Sequence, residues 1–413
     1  MRTELPKRGT DWTTLKNELV EFGKHDVDWR SARTAVYVFN AGEDVLSVAK
    51  EAYALYQSEN ALGPAAFPSL REMERQVVEM GLSLLEAPDG ACGDITSGGS
   101  ESIFLAVKAC RNQARAEGRV KRGGNLVLPI SAHPAFDKAA SVLDLSVKRV
   151  PVAANLRADV GAMRDAIDAE TLMIVGSAPC FPYGLIDPIS ELGALATETN
   201  TWLHVDACVG GYFAPFARMN GEALPDFDFR VPAVRSISAD LHKYGYAAKG
   251  ASTIFHRTED QREHQVFTFD QWPAGGMRTP TAAGTRPGGA IASAFAVLRY
   301  LGVEGYREKA RTVADTRERL IAGIEELGLH VWGDPRLGLL SYGSNDLDIF
   351  AVWKHLAEKG WFTGLTTQPR GIHLMLSPAH AQVAGDYLDD LRDAVDRVRA
   401  GSEDAADLEA RYA

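Results

Sequence analysis

The sequence lacks what several classes of protein require. Its 413 residues include only four cysteines, Cys92, Cys110, Cys180 and Cys208, and no C-x-x-C pair. That excludes a disulfide scaffold, argues against a zinc or redox site and fits a reducing cytoplasm, so no metal is expected. No stretch approaches the ~18–20 apolar residues of a membrane span. The opening Met1–Gly9 is basic but has no apolar run behind it, unlike a secretory signal. No segment repeats itself at the period of a solenoid or propeller. The net charge of −11 leaves no general excess of basic residues, which argues against a nucleic-acid partner. There is no G-x-x-x-x-G-K-[ST] loop, and no G-x-G-x-x-G follows a first strand, so nucleotide-binding readings are poor.

What remains is a core-forming chain, 46% hydrophobic, long enough for more than one domain. Residues 1–60 read as an N-terminal arm with helical stretches, among them Asp44–Tyr56. From 61 to 300 short apolar runs alternate with helical patterns. Asn125–Pro129, Thr171–Gly176, Thr201–Val205 and Ser252–His256 read as buried strands. Between them lie helical candidates at Glu101–Glu117, Ala135–Asp144, Val160–Ala169 and Pro188–Thr199, the last with Asp187 as its cap. This alternation predicts a mostly parallel, buried sheet. Residues 301–413 read as a smaller α+β domain. It has helices at Glu304–Leu327, Asp346–Lys359 and Ala381–Arg399, and strands at Val331–Trp332, Leu339–Tyr342 and Gly371–Leu376. A polar tail from Gly401 is expected to fray.

Three segments carry chemistry. Thr96–Ser102 (TSGGSES) opens an apolar helix, where Gly99 lets backbone approach an anion and Ser100 adds a hydroxyl. Turn and capping chemistry explains such a sequence equally well. Asp206 ends the apolar run Trp202–Val205 and precedes Gly210–Gly211. Open α/β sheets place ligands there, and a buried carboxylate needs a cationic partner. The alternative is a cap for the next helix. Lys243 follows in SADLHKYGY, flanked by His242, Tyr244 and Tyr246. A lysine that forms an imine needs a partly desolvated site and a depressed pKa, whereas a lone loop lysine is normally a solvated charge.

Taken together, these segments resemble the pyridoxal-phosphate (PLP) enzymes of the group II decarboxylase family, and within it the sphingosine-1-phosphate lyases. The similar stretches are Thr96–Ser102, Ser131–Ala140, Phe181–Pro188, His204–Gly211, Ser236–Gly250 and Pro280–Gly289. The resemblance implies the fold-type-I architecture of aspartate aminotransferase, with a mostly parallel sheet in the large domain and a smaller α+β C-terminal domain. It implies PLP as cofactor and Lys243 as the Schiff-base lysine. Asp206 would pair with the pyridine nitrogen and keep it protonated. His133 would stack on one ring face and Cys208 would pack on the other. Gly99, Ser100 and His242 would contact the cofactor phosphate, and Gly284 and Thr285 would reach it from a second subunit. That arrangement implies a homodimer with shared active sites.

On the substrate side the resemblance points to Tyr37, Lys249 and Tyr183 around a substrate anion, with Tyr183 or Lys243 assisting proton transfer. Two positions depart from the lyase pattern. Gly63, in Asn60–Ala65, stands where the lyases carry histidine. Arg370 stands where they usually lack arginine, and an arginine of the small domain binds a substrate carboxylate in related folds. The leading expectation is cleavage of a carbon–carbon bond in a phosphorylated amino alcohol. The alternatives are decarboxylation of an amino acid and a cofactor-binding partner subunit without turnover.

Overall fold

The computed structural model describes residues 2–401, so the expected fraying of the tail from Gly401 falls almost wholly outside the described residues. Seven strands form the large sheet: β1 Cys92–Thr96, β2 Asn125–Pro129, β3 Ser146–Val150, β4 Thr171–Ser177, β5 Trp202–Asp206, β6 Val234–Ala239 and β7 Ser252–His256. Their order is β1-β7-β6-β5-β4-β2-β3. The pairs from β6 through β5, β4 and β2 to β3 are all parallel, and only β7 runs antiparallel to its neighbours. The strands β2, β4, β5 and β7 are buried along their whole length, as apolar runs between helical layers should be.

The expected mostly parallel sheet is therefore the observed one, and a short hairpin follows it, β8 Phe267–Phe269 with β9 Met277–Thr279. Four antiparallel strands make a second sheet in the order β10-β11-β13-β12: β10 His330–Val331, β11 Leu339–Gly343, β12 Gly364–Thr367 and β13 Arg370–Met375. Three strands of the large sheet escape the sequence pattern for physical reasons. β1 contains Gly93 and the charged Asp94, edge strand β3 carries Lys148 and Arg149, and β6 alternates apolar residues with Ser236 and Ser238. A strand interrupted by glycine, charges or serines gives no apolar run to read.

One local expectation is corrected. Asp187 does not cap the helix Ile189–Thr199, whose N-cap is Pro188. Its carboxylate instead accepts the backbone N–H groups of Ala158, at 2.8 Å, and Ser177, at 2.7 Å. The helix expected over Glu304–Leu327 is present: two helices meet at a kink at the non-helical Gly302, and the second runs on to Glu326.

Parallel strands all end on one edge, and that edge faces the small sheet. The arm residues Thr34–Phe39 run between the two. Ala35 donates its N–H to the Phe362 carbonyl and accepts from the Met375 N–H. The loop Phe181–Gly184 closes the gap from the other side. Gly184 has φ +71°, and a Cβ there would lie 2.1 Å from the Leu339 carbonyl oxygen of β11. Gly184→Ala should therefore cost roughly 2–3 kcal/mol of stability, measured by denaturant unfolding. A loss below about 0.5 kcal/mol would show that this contact is slack.

Candidate active site

The carboxyl ends of β5 and β6 bring two carboxylates to one place. Asp206 is the last residue of β5, and Asp240 follows the last residue of β6. Both are buried, at 7% and 2% exposed. Lys243 sits one turn after Asp240, with its Nζ 3.0 Å from Asp240 Oδ2 and a fifth of its side chain exposed. His242 Nε2 lies 3.7 Å from the same oxygen.

The direction of the Lys243 pKa corrects the sequence reading. Burial alone would lower it, as expected of an imine-forming lysine. The negative charges around it, Asp240 foremost and Asp206 behind, together outweigh burial and raise it above the ordinary lysine value. The same attraction, with that of His242, holds Asp240 below the usual carboxylate range despite its burial.

Asp206 is fixed from below. Its Oδ1 accepts the Cys208 N–H at 3.1 Å and the Ser238 hydroxyl at 3.5 Å. Ser238 Oγ in turn lies 3.2 Å from His204 Nε2, and His204 Nδ1 lies 2.8 Å from Ser236 Oγ. The other Asp206 oxygen has no hydrogen bond among the described residues. Cys208 is buried, with its Sγ 3.3 Å from Ser238 Oγ, and burial holds its thiol protonated.

The helix Gly99–Ala116 points its start at this cluster. No side chain caps it. A Cβ on Gly99 would lie 2.8 Å from Cys208 Sγ and 2.9 Å from both Asp240 oxygens, so only glycine permits that approach. Ser100 is exposed beside it. His133 follows β2 and accepts the Ala135 N–H on Nδ1 at 3.1 Å. Burial lowers its pKa, and it senses the charges of Asp206, Lys243 and Asp240.

This donor set fits PLP. A nucleophilic amine lies beside a buried carboxylate with one oxygen to spare, an imidazole lines the wall, and an uncapped helix start adjoins His242, whose Nδ1 is buried without a partner. Such a start binds phosphate through its free N–H groups.

Beyond His133 opens a cavity of about 320 Å³, whose lining includes Tyr37, Ser131, His133, Tyr183, Gln368 and His373. The Tyr183 phenol donates to the Gln368 carbonyl, and burial raises its pKa. Lys249 Nζ donates to the Tyr37 carbonyl at 3.1 Å, so these two predicted residues do meet, although through the backbone. Burial, reinforced by Lys243, lowers the Lys249 pKa.

Arg370 is not brought to this cavity. On β13 it alternates with His373 and faces the helix Ile349–Glu358 instead. There it lies 3.9 Å over the Phe350 ring and 3.1 Å from Asp348. Gly284 packs near Leu62 and Met277, and Thr285 is exposed. No hydrogen bond or ion pair among the described residues joins either one to Lys243 or Asp206.

Three residues of the site were missing from the sequence reading. Asp240 was legible, three residues before Lys243. Gln368 and His373 carry no local signal, because the small sheet folds them in from more than a hundred residues away.

Residues 2–342 match the family model described as the pyridoxal-dependent decarboxylase conserved domain. The sphingosine-1-phosphate lyase of Arabidopsis thaliana is 40% identical over 404 residues, covering 96% of this chain and 74% of that one. The solved sphingosine-1-phosphate lyase of Burkholderia pseudomallei superposes with a TM-score of 0.93 at 37% identity, covering 97% of this chain and 94% of that one. Glutamate decarboxylase of Lactobacillus brevis shares the fold, with a TM-score of 0.84 at 22% identity and coverage of 98% and 96%.

The histidines of the two sheets generate a pH prediction. Burial pushes His204 down to about 3, and His256 and His373 down to about 4. An unfolded chain protonates them near ~6.5. Their folded values lie below that, so the unfolded chain binds more protons and stability falls as pH drops from ~6.5 towards 4. Each contributes a slope of about 1.4 kcal/mol per pH unit. Unfolding midpoints should fall steeply between about pH 7 and pH 5, and a flat profile there would contradict the assignment.

Proposed function

The chain belongs to the pyridoxal-dependent decarboxylase family, and on that footing we propose that it cleaves a carbon–carbon bond in a phosphorylated long-chain amino alcohol. It is a PLP-dependent lyase. The proposed products are an aldehyde and phosphoethanolamine. The observation that carries the choice of substrate is the disposition of the cations. Lys249 lies against Tyr37 and His242 beside the site, while Arg370, the residue suited to an amino-acid carboxylate, is turned away and paired with Asp348.

In this proposal Lys243 would hold the cofactor covalently, the start of Gly99–Ala116 with Ser100 and His242 would hold its phosphate, and His133 and Cys208 would enclose its ring. Asp206, with its spare oxygen, would keep the ring nitrogen protonated. Bound PLP supplies an electron sink for the pair of electrons released when the carbon–carbon bond breaks.

Lys249 and Tyr37 hold the substrate phosphate. Tyr183 is committed as a donor to Gln368 and burial keeps its proton on, so it serves as an acid or an orienting group. As a neutral amine, Lys243 would be the base that takes the proton from the hydroxyl beside the bond that breaks. His133, Tyr183 and the small sheet, which line one cavity, would keep water away from the bond that breaks.

The proposal extends to a cytoplasmic homodimer. Ala61 bonds the Arg286 carbonyl, which sets Asn60–Ala65 beside Pro280–Gly289 on the surface. A second subunit would then receive Gly284 and Thr285. Among the described residues, no helix is long and apolar enough to cross a membrane.

Offered phosphorylated long-chain amino alcohols and a panel of amino acids, the holoenzyme should release aldehyde from the former. Carbon dioxide without aldehyde would make it a decarboxylase. Lys249→Met should raise KM for the phosphorylated substrate by about ten- to a hundredfold through loss of a charged hydrogen bond. Arg370→Ala should change KM by less than about threefold, as expected of a surface pair. The reverse pattern would place the anion site at Arg370.

A further inference from the structure

Asp240 has no place in the assignments so far. It is a carboxylate only 2% exposed, at the end of the strand that delivers Lys243. Its N–H donates to the Cys208 carbonyl at 3.2 Å, and its Oδ2 lies 3.0 Å from Lys243 Nζ. Its Oδ1 is buried without a partner, although it faces the space a Gly99 side chain would fill. The neighbouring Asp206 already spends Oδ1 on the Cys208 N–H and Ser238. Of the two carboxylates, Asp240 alone is within ion-pair distance of the amine.

We propose that Asp240 is a positioning residue that holds Lys243 as an ammonium against the end of β6 and so governs when its amine is free to attack a carbonyl. The inference rests on Lys243 as the cofactor anchor. Attack requires a lone pair on nitrogen. The ammonium first gives one proton to solvent. The neutral amine then forms a bond to the aldehyde carbon, and its two remaining protons leave with the carbonyl oxygen as one water.

A carboxylate 3.0 Å away opposes the first of these steps, while fixing the nitrogen in the orientation the second one needs. The other charged or titratable groups facing Lys243 are Asp206 and Cys208 after β5, His133 after β2, and His242 and Lys249 on its own connection. Burial and Lys243 bias Lys249 towards the neutral form, and burial does the same for both imidazoles. None of these three is an anion in either protonation state, and among the described residues no other carboxylate lies within ion-pair distance of Lys243, so Asp240 is its counter-ion.

The test follows the visible band that appears when PLP is added to the cofactor-free full-length chain, as a function of pH. In Asp240→Asn the inflection of the rate should move down by about one to three pH units. At neutral pH loading should be roughly tenfold faster or more. An unchanged inflection overturns the inference. Asp240→Ser removes the charge with less crowding and repeats the test if the first variant does not fold.

If neither variant folds, the wild-type profile decides. A rate still rising above about pH 10.5, the ordinary lysine value, supports the inference, and a plateau at or below it overturns it. Lys243→Ala serves as the control. Wild-type band formation in that variant would sink the anchor assignment itself, an outcome distinct from failure of the Asp240 inference.

Discussion

The contact on which the site depends is a lysine ammonium held among buried carboxylates at the carboxyl edge of a parallel sheet. Burying Asp206 and Asp240 is unfavourable unless a cation and directed hydrogen bonds accompany them. Lys243 supplies the cation, while the Cys208 N–H and Ser238 supply hydrogen bonds to Asp206. The cluster fixes what surrounds it. Gly99 must lack a side chain, β6 must present serines rather than apolar residues on its inner face, and His204 must stay neutral beneath Ser238.

The large sheet gathers these groups because its parallel strands end together. Asp206 and Ser238 are register partners across β5 and β6, so the carboxylate and the hydroxyl that orients it are set by the ladder itself. The small sheet adds the opposite wall. Its inner face sets His373 between Ser341 and Gly364, two residues small enough to leave room for the loop Phe181–Gly184 and the cavity between. One wall thus handles charge, while the other gives shape.

Much of this was legible in the sequence. The wholly buried strands β2, β4, β5 and β7 read as continuous apolar runs, and the Gly-Gly-Ser helix entry, Asp206 and Lys243 stood out in order along the chain. What stayed hidden has physical causes. β6 looks polar because its serines serve the site. Arg370 looked like an anion receptor because its strand does enter the cavity wall, but alternation along β13 gives that wall to His373 and sends Arg370 to Asp348. The Lys243 pKa runs opposite to expectation because the counter-ion three residues earlier, reinforced by Asp206, adds up to more than burial takes away.

Lys243 as the covalent anchor underlies every other role assigned to the site. Borohydride reduction of the PLP-loaded chain, followed by digestion and mass mapping, tests that most directly. The reduced cofactor should sit on the peptide carrying Lys243, with none on Lys249. Cofactor found on Lys249 or another lysine, or a chain that retains none, would contradict it.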